Sequence, residues 1–327
     1  MPVILAIDGG GSRTRCLAIS RDGQLVGEGA SGPSNHLLIA EDIVRHSLLE
    51  ATDKALEQGG LLHEDVVCVS AGLAGVDYDQ AGAREMEEMF RGIGFTRMVI
   101  NGDRVVAHAG ALGGRPGVLA LAGTGSCILG IGANDERVKV GGWGPVYGDE
   151  GSAYRIGQMA LRAAARAYDG RGSQTALVNA LLRALKLHDF KETVERIYVE
   201  RMEPRQIAAL SRVAYEVAES GDQTARAIFT QAGEELAEGI VAAIKKLAFD
   251  GTDLLVSYQG SILERCSLVC ERFCQSLRQS FPAITIIPPR YKPVIGAFII
   301  GCQSTGWKPD RTALEALEKR AGTDVPG

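Results

Sequence analysis

VILAIDGGGSRTRC, Val3 to Cys16, is the stretch whose reading decides the fold. The run Val3 to Ile7 is apolar throughout and reads as a buried strand. It ends on Asp8, turns through Gly9, Gly10 and Gly11, and returns as an extended segment carrying Ser12, Arg13 and Thr14. Glycines let backbone N–H groups approach a phosphate with no Cβ in the way. Ser12 and Thr14 add hydroxyls, and Asp8 is a hard oxygen ligand that suits Mg²⁺. The same residues also read as a tight hairpin turn that binds nothing. A second copy of the chemistry, LAGTGSC from Leu121 to Cys127, favours the phosphate reading.

Working outward, the strand Thr14 to Ser20 pairs with Gln24 to Ala30 across the turn Arg21-Asp22-Gly23. SGPSNH, residues 31 to 36, is a polar loop, and Ala40 to Gln58 is an amphipathic helix stopped by Gly59-Gly60. The strand at Val66 to Leu73, the helix at Ala81 to Arg91, the strand at Thr96 to Asn101 and a small-residue helix at Arg104 to Leu112 complete one mixed sheet with helices on it. GGRPG, 113 to 117, is the best boundary in the first half.

The pattern then restarts. Val118 to Ala122 is a strand, Gly123-Thr124-Gly125-Ser126 a turn, Cys127 to Gly132 and Arg137 to Val140 further strands. Helices are expected at Ser152 to Tyr168, Gln174 to Leu185, Phe190 to Tyr198, Pro204 to Ser220 and Asp222 to Phe249. A strand at Asp253 to Gln259, a helix from Ile262 to Ser280, a strand at Ala283 to Ile287, a helix at Pro293 to Gly301 and a charged surface helix from Pro309 follow. Such a duplication is too long for a solenoid repeat. It predicts an α/β protein of two like domains facing each other across a cleft, each presenting a phosphate-binding hairpin. The expected small domain is 1–115 plus about 304–327, and the large one 116–303.

The 327 residues are 46% hydrophobic and 23% charged, with net charge −5 and the two signs mixed. No basic tract points to nucleic acid or a membrane surface, and no apolar run is long enough to span a bilayer. The opening apolar segment is too short for a signal peptide, so the expected location is cytoplasmic. Seven cysteines at 16, 68, 127, 266, 270, 274 and 302 read mainly as buried thiols. The trio 266, 270 and 274 has one-face helical spacing, which fits packing better than CxxC-type metal ligation. Five histidines show no HExxH pairing.

A P-loop, a GxGxxG strand–helix turn and the protein-kinase HRD and DFG motifs are absent. DGGGSRT (8–14), LAGTGS (121–126), GGWGPVYGDEGSAY (141–154) and QGSIL (259–263) instead resemble the actin, Hsp70 and sugar kinase superfamily. Within it they are similar to the branch of N-acetylglucosamine kinases and BadF/BadG/BcrA/BcrD-type ATPases. The motifs run in that family's order from Asp8 to about Gly301, and 141–154 is the most specific. The resemblance implies two ribonuclease H-like, actin-like ATPase domains, with ATP and Mg²⁺ as cofactors and a sugar as substrate. It also implies a homodimer, with neither nucleic acid nor membrane as partner.

Carried over residue by residue, the resemblance implies the following. Gly9, Gly10, Gly11, Ser12, Arg13 and Thr14 form the first phosphate hairpin, with Asp8 near Mg²⁺, through water, and Ser12 near the β-phosphate. Gly123, Thr124 and Gly125 form the second, Thr124 reaching the γ-phosphate. Gly260 and Ser261 lie on the adenosine side with Ala208 beside the base. Asp103 is the catalytic aspartate. Asn35, Ser126, Cys127, Gly142, Trp143, Gly144 and Asp149 fall at sugar-contacting positions.

Plain structural roles compete with these: Asp103 as a helix N-cap, Trp143 as core, Asn35 as a turn residue, and Asp149-Glu150 as charges complementing a helix dipole. Two departures stand out. Cys127 replaces an Asn common in the sugar kinases, and the middle region offers only Cys127 as a ligand for the iron–sulfur cluster of the dehydratase activators. The expected reaction is ATP-dependent phosphorylation of an amino sugar at its 6-hydroxyl, N-acetylglucosamine first. Glucosamine, N-acetylmuramic acid, or a BadF-type ATPase activating a partner enzyme are the alternatives.

Overall fold

The computed structural model describes residues 1–76, 80–249 and 254–321. The chain divides into two compact units, Met1–Arg115 together with the chain from Pro289 onward, and Pro116–Pro288.

In the first unit, β1 (Val3–Gly9), β2 (Thr14–Ser20), β3 (Leu25–Ser31), β4 (Val66–Leu73) and β5 (Met98–Gly102) form a sheet in the order β3-β2-β1-β4-β5. β1 is antiparallel to β2, and β4 and β5 run parallel to β1. Because successive side chains alternate faces, β1 feeds two cores. Val3, Leu5 and Ile7 meet Val44, Leu48 and Ala51 of α1 (Glu41–Gly59) and Phe90 of α2 (Gln80–Gly92). Ile4 and Ala6 face the other way, toward α11 (Pro293–Thr305) and α12 (Arg311–Ala321).

That second face sets the return boundary. A helix from Pro293 was expected to stay with the large domain up to 303. It packs instead on α3 (Asp103–Leu112), where a Cβ on Gly296 would fall 1.9 Å from the Val106 carbonyl oxygen and one on Gly110 would fall 2.7 Å from that of Lys292. Two glycines let these backbones touch, and Val294, Ile295, Phe298 and Cys302 are buried against the first sheet. The crossing is therefore at 288–289 rather than near 303.

The second unit repeats the plan. β6 (Gly117–Ala122), β7 (Ser126–Ile131), β8 (Arg137–Gly141), β9 (Leu255–Gln259) and β10 (Thr285–Ile287) lie in the order β10-β9-β6-β7-β8, with the hairpin antiparallel and β9 parallel to β6. Its helices are α4 (Ala153–Tyr168), α5 (Leu177–Leu185), the single turn α6 (Glu192–Val194), α7 (Pro204–Glu219), α8 (Gln223–Leu247), α9 (Ser261–Arg265) and α10 (Ser267–Ser280). The start of α4 is capped by Ser152, whose hydroxyl accepts the Arg155 amide, and α8 starts on Asp222 in the same way.

Two expected helices differ. Phe190 to Tyr198 is broken into α6 and a π turn at Glu195–Val199. Ile262 to Ser280 is split at Cys266, whose backbone is extended. Asp253, expected at the head of β9, and the last six residues lie outside the described residues. Among the described residues no helix is long and apolar enough to cross a membrane.

Candidate active site

The first hairpin is built by register. Gly9 pairs with Thr14, and the Gly10 amide donates to the Arg13 carbonyl at 2.9 Å, which leaves Gly11 and Ser12 at an exposed tip. Among the described residues the Gly11 and Ser12 amides have no acceptor. Gly9 is required for packing: a Cβ there would lie 2.2 Å from Ser34 Oγ. Thr14, expected at the phosphates, is fully buried and its hydroxyl contacts the Gly32 carbonyl and Ser34 Oγ at 2.8 Å each. It pins the 31–36 loop under the hairpin and presents no hydroxyl to a ligand.

Asp8 stands at the C-terminal end of β1, where polar site groups of α/β sheets collect. Asp8 is in register with Gly72 of β4, which in turn pairs with Asn101 of β5. The chain then passes Gly102 and enters α3 at Asp103. Gly102 occupies the N-cap position, so Asp103 is not the cap; its Oδ1 accepts the Arg104 amide at 2.9 Å. Burial, and then the Asp103 carboxylate, push the Asp8 pKa up to about 6, against the pull of Arg13 and Arg15. A buried carboxylate raised by a second one nearby is the hard-oxygen chemistry that a divalent cation relieves. Mg²⁺ typically takes one or two carboxylates, completing its shell with phosphate and water. Asn35 forms an Asx turn, Oδ1 accepting the Leu37 amide at 3.1 Å, and its side-chain NH₂ has no acceptor among the described residues.

The second hairpin is held from behind by a helix. The Gly123 amide donates to the Gly125 carbonyl at 2.9 Å, while the first two amides of α4, Ala153 and Tyr154, donate to the carbonyls of Gly123 and Thr124 at 2.9 and 3.1 Å. The helix thus uses its unsatisfied N–H groups to fix the turn. Thr124 is exposed, and the amides of Thr124 and Gly125 have no acceptor among the described residues.

Asp149 supports the same turn. Its Oδ1 accepts the Ser126 amide at 3.3 Å, and a Cβ on Gly125 would lie 2.9 Å from its Oδ2. Asp149 is buried and has φ +58°, strained for a residue with a side chain, within a run where Gly141, Gly142, Gly144 and Gly151 are also left-handed. Burial raises its pKa, with Glu150 adding to the rise and the Ser126 amide opposing it.

Beside this turn is a cavity of about 310 Å³ lined by Ser126, Cys127, Gly141 and Trp143, and by Glu150, Glu235 and Glu238. The Ser126 hydroxyl donates to the Glu150 carbonyl at 2.7 Å. Cys127 is buried, its Sγ 3.0 Å from where a Gly142 Cβ would stand. Trp143 is 62% exposed, which removes the core reading, and stacks near Tyr147 with Lys139 Nζ 5.3 Å from its ring centre. Gly144 accepts the Gly148 amide and closes the loop. The carboxylates of α8 were missed in the sequence because they sit some ninety residues downstream on a helix that reads as ordinary amphipathic surface.

At the end of β9, Gly260 has φ +106° and a Cβ there would fall 2.4 Å from the Ala122 carbonyl oxygen, so β9 closes directly onto the second hairpin's first strand. Ser261 is exposed at the start of α9. Gln259, in register with Leu121, buries its Oε1 with no partner among the described residues, and no motif in the sequence singles it out. Ala208 is 6% exposed within the core of the second unit, so its methyl is already covered and offers no surface to a base.

Three similarities bear on this arrangement. The N-acetylmuramic acid/N-acetylglucosamine kinase of Clostridium acetobutylicum is 29% identical over 301 residues, covering 92% of this chain and 98% of that protein. Glucosamine kinase GspK of Vibrio cholerae is 29% identical over 81% of this chain and 86% of its own. The solved structure of a candidate N-acetylglucosamine kinase from Chromobacterium violaceum matches with a TM-score of 0.72 at 26% identity, over 92% of this chain and 99% of that one. The family model that matches residues 5–301 spans both hairpins, Asp103 and the 141–154 loop: this chain belongs to the BadF/BadG/BcrA/BcrD ATPase family.

Proposed function

We propose that this chain phosphorylates an amino sugar at its 6-hydroxyl, N-acetylglucosamine first. It is an ATP-dependent sugar phosphotransferase. The observation that carries the finer reading is the cavity against the second hairpin, in which a hydroxyl (Ser126), a thiol (Cys127) and an exposed indole (Trp143) adjoin a turn with open amides. A sugar has an apolar ring face and polar edges, and that lining offers one surface to each.

Each hairpin offers open amides suited to ATP phosphates, Gly11 and Ser12 in the first and Thr124 and Gly125 in the second, and the Thr124 hydroxyl suits the γ-phosphate. Asp8 would hold Mg²⁺, and that ion, when bound, would offset phosphate charge. Phosphoryl transfer needs positioning and charge stabilisation more than covalent chemistry from the protein. Asp103 accepts the proton of the sugar hydroxyl, a contribution typically of ~10²–10⁴-fold. Asp149 orients the sugar edge beside Ser126, and Gly260-Ser261 adjoin the adenosine.

A coupled ADP-release assay across a panel of N-acetylglucosamine, glucosamine, N-acetylmuramic acid and glucose tests this. One amino sugar should stimulate ADP release strongly and yield its 6-phosphate. ATP hydrolysis indifferent to every sugar, together with iron in the purified protein, would instead make the chain an activating ATPase.

A further inference from the structure

The second unit contains another cavity, of about 600 Å³, between α4 and α8. Its lining is Arg155, Gln158, Met159, Arg162, Ala163 and Arg166 of α4, with Ile228 and Gln231 of α8. None of these residues belongs to the candidate active site.

The α4 positions recur at intervals of three and four, so they form one stripe of the helix. Three arginines share that stripe, and no carboxylate lines the cavity. This is unexpected in a chain of net charge −5. Like charges four apart on a helix, as Arg162 and Arg166 are, oppose helix formation. Elsewhere on the surface some arginines are paired with acids, such as Arg171 with Asp169 and Arg311 with Glu315. Among the described residues Arg162 has no partner and Arg166 reaches only the Arg171 carbonyl. Arg155 donates to Gln158 Oε1 at 3.0 Å, while its Nε is buried with no partner among the described residues. A buried guanidinium N–H without an acceptor is costly, and an anion in the cavity would supply one.

We propose that this cavity is a binding site for small phosphorylated molecules. Guanidinium groups match phosphate oxygens in pairs. Gln158 adds a donor suited to a hydroxyl or ester oxygen, while Gln231 Nε2 already donates to Glu235 Oε1 at 2.8 Å, and the volume exceeds what a bare phosphate fills. The proposal is independent of the acceptor sugar and of the kinase reading.

The test is calorimetric titration of the full chain with inorganic phosphate and, separately, glucose 6-phosphate, at constant ionic strength. Saturable binding of one molecule per chain is expected. Arg162→Glu should weaken it at least about tenfold, because it reverses an exposed charge facing the anion. Arg155→Lys, which keeps the charge and loses the Nε donor, should weaken it less. Thr124→Ala and Asp103→Asn should leave it unchanged, which separates this cavity from the phosphate hairpins. Melting curves confirm that each variant is folded, and Arg162→Gln replaces the charge reversal if that variant melts early. Tighter binding of glucose 6-phosphate assigns the cavity to sugar esters, and equal binding assigns it to phosphate itself; both support the site. Absence of saturable binding, or binding that Thr124→Ala abolishes and Arg162→Glu spares, overturns it.

Discussion

Asp103 at the head of α3 lies close enough to Asp8 at the end of β1 for its negative charge to help raise the Asp8 pKa to about 6. Burial is the larger cause, and the arginines at 13 and 15 oppose both. A carboxylate raised in the folded state stabilises the fold in its protonated form. That contribution is full below the unfolded value near 3.8 and is lost as pH rises through about 6. At 1.36 kcal/mol per pH step, ionised Asp8 costs the empty protein at most about 3 kcal/mol. Asp8→Asn should therefore raise the melting temperature at pH 8 and change it little at pH 4. If the variant melts lower at pH 8, the carboxylate is not the strained group described here. The same titration predicts that the wild-type affinity for Mg²⁺ and ATP falls as pH drops below about 6.

Asp103 has one carboxylate oxygen engaged by the Arg104 amide and is not the N-cap of its helix. Its conversion to Asn keeps that acceptor and removes the ability to take a proton. We expect Asp103→Asn to bind ATP nearly as tightly as the wild type and to lower kcat at least about a hundredfold. Single-turnover kinetics and nucleotide titration check this. Near wild-type turnover would remove Asp103 from the mechanism.

The two hairpins, the duplicated strand order and the site of Asp103 were legible in the sequence, because local chemistry announces them: an apolar run, a polar end, glycines. Thr14 was not. It follows directly on an exposed glycine-rich turn, but strand alternation and the register of β1 against β2 turn its hydroxyl inward to Gly32 and Ser34. Nor was the allegiance of α11 legible, since an apolar helix can lie on either sheet; the choice depends on Gly110 and Gly296 meeting across the helices. Glu235 and Glu238 reach the cavity only through tertiary packing of α8.

Those carboxylates make a prediction about the acceptor. Glu150, Glu235 and Glu238 all line the cavity that holds Cys127 and Trp143, and Glu235 is fixed there by the Gly151 amide at 3.0 Å. A wall of this sign repels an acceptor that carries a carboxylate and tolerates a neutral or cationic one. N-acetylmuramic acid should therefore show a lower kcat/KM than N-acetylglucosamine. Glu238→Lys, at an exposed position, should narrow the gap by lowering KM for the acidic sugar. The sugar panel run on both proteins decides it; a gap that Glu238→Lys leaves unchanged would mean the wall is too far from the acceptor's substituent to matter.

The contact between Gly125 and Asp149 makes the most local prediction. A Cβ at 125 would stand 2.9 Å and 3.0 Å from the two carboxylate oxygens, so Gly125→Ala must displace either the hairpin or the carboxylate. Asp149 cannot move easily, being buried in a left-handed conformation between glycines, with the Ser126 amide on its Oδ1. The hairpin should give way, losing the alignment of the Thr124 and Gly125 amides. We expect Gly125→Ala to destabilise the protein by about 1–3 kcal/mol and to lower kcat sharply. Asp149→Ala alone removes the carboxylate and should chiefly raise KM for the sugar. In the double variant the methyl has room, so the two stability losses should sum to less than their separate values, with a coupling of about 0.5–3 kcal/mol. Denaturant unfolding of the four proteins measures that coupling, and strict additivity would show that the hairpin does not rest on Asp149.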